Sequence, residues 1–523
     1  MNTAGEGEPK LTEVLARALS KSCGARLVET HISWLILGDQ TVYKLKKPVD
    51  LGFLDFSSLE KRRHACEEEV RLNRRTAPHI YQGVIPVSGS ESAPRLGADG
   101  RVIDYAVQMR RFNDAELLDR LARAGDFGVD TIVALAEAVA AFHGKITGAA
   151  PPVFCDTENG ILVPARENFE LLESLDHDEA DLACIRRLKK WTEREYRLRF
   201  QCFESRQAAG FIRECHGDLH LGNLFREDDR VVPFDCIEFS PSLRWIDVIS
   251  DIAFTVMDLV NHDLPALANR LLNEYLARTG DYGGLRVLRW YLVYRAVVRA
   301  KVAAIRADQD LAHADSYGRE CSHYLALAGR LAVPGRPAMV IMCGFSGTGK
   351  TTIANDLAGQ IGAIHLRSDV ERKRLHGLAM TESSQARGLD IYTRAASEDT
   401  FNRLEELVVE VVACDLPVIV DATFIEARLR HEFTALADRL GVPWVIVECV
   451  ASEVQVAERL AGRRDDASEA GLQQYLSQRA GFEQFSDSER ERRLVVDGRK
   501  SAADLAKRVC AHLYAGTVKT PPH

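Results

Sequence analysis

Two rhythms of apolar and polar positions divide this chain. In its first hundred residues short apolar runs alternate with polar turns: HISWLIL, GDQ and TVYKLKK (residues 31–47) read as two strands of an antiparallel hairpin, and VIDYAVQMRRF (102–112) as a further strand that ends at a connector. Residues 11–22 and LEKRRHACEEEVRLNRR (59–75) have helical composition and spacing. From about residue 115 the pattern turns mostly helical, as in TIVALAEAVAAFH (131–143) and RWYLVYRAVVRAKVAAIRA (289–307). A small antiparallel sheet followed by a helical region is the expectation.

The stretch LAVPGRPA (331–338) sets two prolines and a glycine between a helical run and a new apolar strand, which is linker chemistry. Beyond it the apolar runs AMVIMCG, PVIVDAT, PWVIVECV and RLVVDG alternate with helical stretches, the mark of a mainly parallel α/β sheet. The predicted organisation is a tail at 1–10, a first domain at 11–330, a linker at 331–337, a second domain at 338–515 and a tail at 516–523. A length of 523 residues suits two cores.

Charge and cysteines narrow the function classes. A formal net charge of −9 and a pI near 6.0 give no global drive toward a polyanion, so nucleic acid is not the default partner. The 12 cysteines show no CxxC pairing and sit mostly in apolar runs, which reads as reduced thiols. No apolar segment approaches the length of a membrane span, and the N-terminus has no apolar signal core. A cytoplasmic protein with no membrane partner is expected; composition is silent on oligomeric state.

The strongest local signal is GFSGTGKT, residues 344–351, which fits GxxxxGK[ST] between an apolar strand and the helix-like TTIANDLAG. Glycines let backbone N–H groups wrap phosphates, and the helix N-terminus favours an anion. Gly344, Ser346, Gly347, Thr348, Gly349, Lys350, Thr351 and Thr352 are therefore candidates to bind ATP, with Lys350 on the β and γ phosphates and the Thr351 hydroxyl on Mg²⁺. Asp421 in VIVDATF stands where a carboxylate can orient the Mg²⁺ shell. Asp369, at the end of the strand AIHLR, lies on the ligand-binding rim of a parallel sheet and can take a proton from a substrate hydroxyl. Arg372, one helical turn later, can hold an anionic substrate or that carboxylate; Ser368 also reads as a helix N-cap. This stretch, about 338–515, resembles P-loop kinases of small hydroxyl substrates, including polynucleotide 5′-hydroxyl kinases and zeta-toxin-like kinases. The resemblance implies an arginine-bearing lid at ERLAGRRDDASEAG, with Arg459, Arg463 and Arg464 as candidates.

A second constellation is CHGDLHLGNLF (215–225), followed by PFDCIEF (233–239). Asp218 can accept the proton of an attacking hydroxyl, while Asn223 and Asp235 offer oxygen ligands for Mg²⁺. His216 and His220 lack a nearby third metal ligand and read as loop-shaping hydrogen-bond partners. HGDLHxxN with a following Asp resembles the aminoglycoside phosphotransferases and their choline and fructosamine kinase relatives over about 15–325. That resemblance implies an α+β bilobal protein-kinase-like fold. It also implies an ATP-binding lysine, for which TVYKLKK offers Lys44 and Lys46 on one face and the small apolar Val42 favours Lys44. A glutamate partner at Glu69 and a hinge near Met109 whose backbone bonds adenine are implied as well. Asp251 in SDIAF would buttress the loop. The acidic trio Glu67, Glu68 and Glu69 also fits an exposed charged helix. The first strands depart from the family pattern: they lack a GxGxxG loop, and only Gly38 stands in the hairpin.

These readings converge on an ATP-dependent kinase with two nucleotide sites, each acting on a small-molecule hydroxyl substrate. The alternative is a P-loop ATPase switch or nucleic-acid end kinase, with the kinase-like half as a ligand sensor.

Overall fold

The computed structural model describes residues 9–514 apart from 51, 53, 98–99, 147, 149, 155, 462–466, 470 and 498–500. All but residues 9 and 10 of the expected tails lie outside the described residues. Packing divides the chain into two units, residues 1–167 with 203–258 and residues 168–202 with 259–523. The linker stretch 331–337 thus falls inside the second unit, which includes helices that precede it in sequence.

In the first unit the strands β1 (Arg26–Glu29), β2 (Ser33–Leu37), β3 (Thr41–Lys46), β4 (Tyr81–Ser90), β5 (Ala93–Leu96) and β6 (Val102–Arg110) form an antiparallel sheet in the order β1-β2-β3-β6-β4-β5. Alternation along β3 sends Leu45 to one face, against Trp34, Ile36 and Leu15, Ala16 and Leu19 of the helix Pro9–Ser22. Val42 goes to the other, against Cys66 and Val70 of the helix Leu59–Asn73. Lys44 and Lys46 share the Val42 face by the same period of two. Ser58 caps that helix by accepting from the Lys61 N–H, so the sheet-to-helix turn is set locally. Helices follow, then β7 (Ile212–Glu214), the hairpin of β8 (Leu224–Glu227) and β9 (Arg230–Pro233), β10 (Trp245–Asp247) paired to β7, and the helix Val248–Asn261. This is the α+β protein-kinase-like order: a strand-rich lobe with one helix between β3 and β4, then a helical lobe whose loop precedes a short hairpin.

The second unit holds a five-stranded parallel sheet, β11 (Met339–Cys343), β12 (Ile364–Arg367), β13 (Val418–Asp421), β14 (Trp444–Cys449) and β15 (Arg493–Val496), in the order β12-β13-β11-β14-β15. Every residue of β11 and β13 is buried, as near-continuous apolar runs require when helices cover both faces. Val340, Met342 and Val447 pack against Ala354 and Leu357 of the helix Lys350–Ile361 and Val509 of the helix Ala502–Tyr514. The edge of β12 is finished from outside the sheet: Asn273, on the helix Pro265–Thr279, accepts the His365 N–H at 2.7 Å and donates to the Ala363 carbonyl at 2.9 Å. Among the described residues every cysteine is a free thiol, and no helix is long and apolar enough to cross a membrane.

Candidate functional site

In the second unit the loop between β11 and the helix Lys350–Ile361 carries Gly344, Gly347 and Gly349 at φ of 140°, 83° and 91°. A Cβ on Gly344 would lie 2.5 Å from the Cys449 carbonyl, so only glycine fits where the loop passes β14. Lys350 turns back onto this loop, donating to the Phe345 carbonyl at 2.9 Å. Thr351 donates its hydroxyl to Asp421 at 2.7 Å, bringing together two oxygens of the kind a hard divalent cation takes. The other side of Asp421 is held by His365, whose Nε2 lies 3.1 Å from the carboxylate while Nδ1 lies 3.0 Å from the Asn355 Oδ1. Burial alone would raise the Asp421 carboxyl; the His365 bond and charge, with Lys350 and Thr351, outweigh it and hold it at about 2.

A cavity of about 720 Å³ opens over this loop. Its wall joins Ser346, Gly347, Gly349, Lys350, Thr351, Thr352 and Asp421 to Asp369 and Arg372 on the helix Ser368–Leu375, and to Tyr392 and Ser397. Asp369 is half-buried, and among the described residues no hydrogen bond or ion pair engages its carboxylate. Burial, and then the Asp369 charge, push the Tyr392 hydroxyl up to about 12. Arg459 donates to the Thr348 carbonyl at 3.0 Å; Arg463 and Arg464 lie outside the described residues.

In the first unit β3 and the helix Leu59–Asn73 bring Lys44 within 2.9 Å of Glu69, which is fully buried. Lys44 also meets Asp235 at 2.5 Å. Glu69 serves a second lysine, the fully buried Lys46, which pairs with Glu238 as well. Burial would raise the Glu69 carboxyl, and the two lysines hold it at about 2. Asp235 sits at φ 60°, uncommon for a residue with a side chain, and its N–H donates to the Tyr81 hydroxyl at 3.1 Å.

The loop 215–223 is shaped from below by one face of the helix Val248–Asn261. Asp251 accepts the N–H groups of His216 and Gly217, both at 2.9 Å, Thr255 donates to the Leu219 carbonyl at 2.5 Å, and Asp258 accepts the Leu221 N–H at 3.0 Å. These three side chains recur at the four- and three-residue spacing of one helical face. Gly217, at φ 87°, has room for no Cβ, which would stand 2.7 Å from the Leu243 carbonyl. Asn223 donates to the Asp218 carboxylate at 2.8 Å, turning its own side-chain carbonyl away from that bond. His216 and His220 are bonded within the loop, each Nδ1 accepting an N–H two residues on, at 3.4 and 3.0 Å.

Met109 stands within β6, in register with Val42 on β3 and Tyr81 on β4, and the chain leaves the sheet only after Arg110. Beyond it, Phe112 stacks on Phe225 with ring centroids 4.2 Å apart. Glu238 and His365 escaped the sequence reading as site residues, and Lys46 was the lysine passed over in favour of Lys44. The alternation that pairs Lys46 with Lys44 was visible, whereas nothing local marks Glu238 or His365.

The glycine-rich loop, the 2-3-1-4-5 parallel strand order and the carboxylate closing the third strand define the second unit as a P-loop fold, and the first is kinase-like in its order of elements. Residues 339–485 match the family described as AAA domain. The chain is 29% identical over 446 residues to an uncharacterized protein of Mycobacterium tuberculosis, covering 84% of this chain and 87% of that one. Among solved structures it is similar to the Mycobacterium tuberculosis APS kinase (20% identity, 34% of this chain and 99% of that chain, TM-score 0.26). It is also similar to a choline/ethanolamine kinase family protein from Mesorhizobium loti (12% identity, 61% and 99%, TM-score 0.36).

Proposed function

We propose that the chain is an ATP-dependent phosphotransferase with two nucleotide sites, each transferring the γ-phosphoryl group to a hydroxyl of a small molecule. The observation that carries the reading is a cavity lined both by Ser346, Gly347, Gly349, Lys350, Thr351 and Thr352 of the P-loop and by Asp369, whose carboxylate no hydrogen bond or ion pair engages among the described residues. A hydrolytic switch needs the loop but does not require a base for an acceptor hydroxyl on the facing wall.

In this reading the P-loop N–H groups and Lys350 bind the triphosphate. Asp369 takes the proton of the acceptor hydroxyl as its oxygen bonds to γ-phosphorus, and the bond from γ-phosphorus to the bridging oxygen breaks, releasing ADP. The paired oxygens of Thr351 and Asp421 fit Mg²⁺, which when bound offsets phosphate charge. In the first unit Asp218 is the corresponding base, Lys44 held by Glu69 is the phosphate ligand, and the oxygens of Asn223 and Asp235 fit the cation. Chain near Met109, extending past Arg110, where the strand ends, to Phe112, would meet the base of the nucleotide.

The test follows label from γ-phosphate in wild type, Asp218→Asn and Lys350→Ala with a pooled panel of hydroxyl metabolites. Two labelled products, each lost in one variant, are expected. Label released only as inorganic phosphate, abolished by Lys350→Ala and indifferent to Asp218→Asn, would replace this reading with a switch.

A further inference from the structure

Two bonds end on the same oxygen of Asp421. The Thr351 hydroxyl donates to Oδ2 at 2.7 Å, and Nε2 of His365 lies 3.1 Å from that atom. An ionised carboxylate only accepts, so Nε2 carries the proton of this bond. Oδ1 takes part in no hydrogen bond or ion pair among the described residues. It is not sealed inside the protein either, and Asp421 lines the cavity together with Lys350 and Thr351. The carboxylate therefore meets the cavity through one oxygen and is held from behind by the other.

The anchor spans two strands and a helix. His365 is 3% exposed on β12, which pairs with β13, whose last residue is Asp421. Its Nδ1 lies 3.0 Å from Oδ1 of Asn355, on the helix Lys350–Ile361. Thr351 and Asn355 stand four residues apart on that helix, and so on one face of it. They bracket the Asp421–His365 pair: Thr351 meets the carboxylate, and Asn355 meets the far side of the imidazole. An imidazole gripped in this way leaves the carboxylate little freedom to turn its second oxygen toward the cavity.

How many oxygens a carboxylate offers decides which cation it suits. Ca²⁺ takes roughly six to eight oxygens in a flexible shell and accepts both from one carboxylate, whereas Mg²⁺ demands a tight octahedron and takes them singly. We propose that His365 is a specificity-determining positioning residue of the P-loop site: by occupying Oδ2 it restricts Asp421 to one cavity-facing oxygen and favours Mg²⁺ over Ca²⁺ as the nucleotide's cation. This rests on reading the second unit as a nucleotide site with Thr351 and Asp421 at its cation. The competing account is a purely architectural Asp–His pair. Breaking such a pair weakens both cations alike and leaves their ratio unchanged.

The test is calorimetric binding of a non-hydrolysable ATP analogue to the full chain, with Mg²⁺ and with Ca²⁺, in wild type, His365→Gln, His365→Asn and Asn355→Ala. Lys350→Ala supplies the first unit's share of the signal, which is subtracted. Both amide side chains donate, but that of Gln reaches about as far as Nε2, whereas that of Asn ends one carbon short. Expected is tighter binding with Mg²⁺ than with Ca²⁺ in wild type, a ratio that falls roughly tenfold or more in His365→Asn, and recovery to within about threefold of wild type in His365→Gln. Asn355→Ala leaves His365 in place but frees its ring, and should lower the ratio in the same direction. It carries the comparison by itself if His365→Asn loses its cooperative unfolding transition. A ratio unchanged in His365→Asn and Asn355→Ala, or a parallel loss of both cations, reduces His365 to an architectural role and overturns the proposal. So does a His365→Gln ratio no better than that of His365→Asn. A wild type that binds no more analogue than Lys350→Ala would sink the nucleotide-site reading together with the proposal, whereas the other outcomes leave that reading standing.

Discussion

The Gln478 side-chain carbonyl accepts the Ser346 backbone N–H at 2.8 Å, on the loop whose amides are the candidate phosphate donors. Gln478 comes from the helix Leu472–Ala480, which also sets Tyr475 edge-on against Phe345 at 5.8 Å. A phosphate that takes the Ser346 N–H must displace this amide. Removing one competing hydrogen bond is worth about 0.5–1.5 kcal/mol. Gln478→Ala should therefore tighten ATP binding by roughly twofold to tenfold, measured calorimetrically, with Phe345 packing unchanged. Weaker binding in Gln478→Ala would mean that Gln478 contacts the nucleotide instead.

Glu69 answers to two buried lysines, Lys44 and Lys46. Removing one partner from such a group strands the others, typically at about 3–5 kcal/mol. Glu69→Gln should destabilise the first unit by that order in urea unfolding. The nearby Glu67, half-exposed and paired with Arg63 one turn away, should cost under about 0.5 kcal/mol as Glu67→Gln.

Asn273 is separated from its partner His365 by 92 residues and supplies hydrogen bonds that a further strand would otherwise make. Asn273→Ala leaves the buried His365 N–H without that acceptor, at about 1–3 kcal/mol. The loss should appear in the unfolding of the second unit and leave the first unit's transition in place.

Two buried imidazoles, His216 and His365, have basicities lowered chiefly by burial. Each binds a proton more readily in the unfolded chain, so stability rises with pH up to the ordinary histidine value near 6.5 and is lost as pH falls below it. The slope should approach about 1.4 kcal/mol per pH unit for each imidazole below that value. Melting curves between pH 7.5 and 5 should show it, and His216→Asn or His365→Asn should each flatten one unit's slope. An unchanged slope in either variant would assign the proton elsewhere.

Much of the architecture was legible because it is local. The alternation in TVYKLKK, the helical spacing of 59–75 and the parallel strands 339–343 and 418–421 follow from side-chain periods of two and about 3.6. Lys350, Thr351 and Asp218 were visible because a glycine-rich turn or a tight loop sets them by chain geometry within a few residues. Met109 was harder, since where a strand stops depends on its neighbours, and β6 runs on between β3 and β4 to Arg110.

What the sequence determined by itself was the kind of chemistry each motif can carry: a phosphate-wrapping loop, carboxylates at strand ends and a lysine on a sheet face. Tertiary structure alone decided that Glu69 is buried between two lysines instead of lying on a solvated helix, that Glu238 and His365 join the sites, and that Asn273 completes a sheet it does not belong to. Those outcomes turn on burial and on pairing between residues far apart in the chain, and a charged or polar group's partner is set by which surfaces pack together, which no local spacing records.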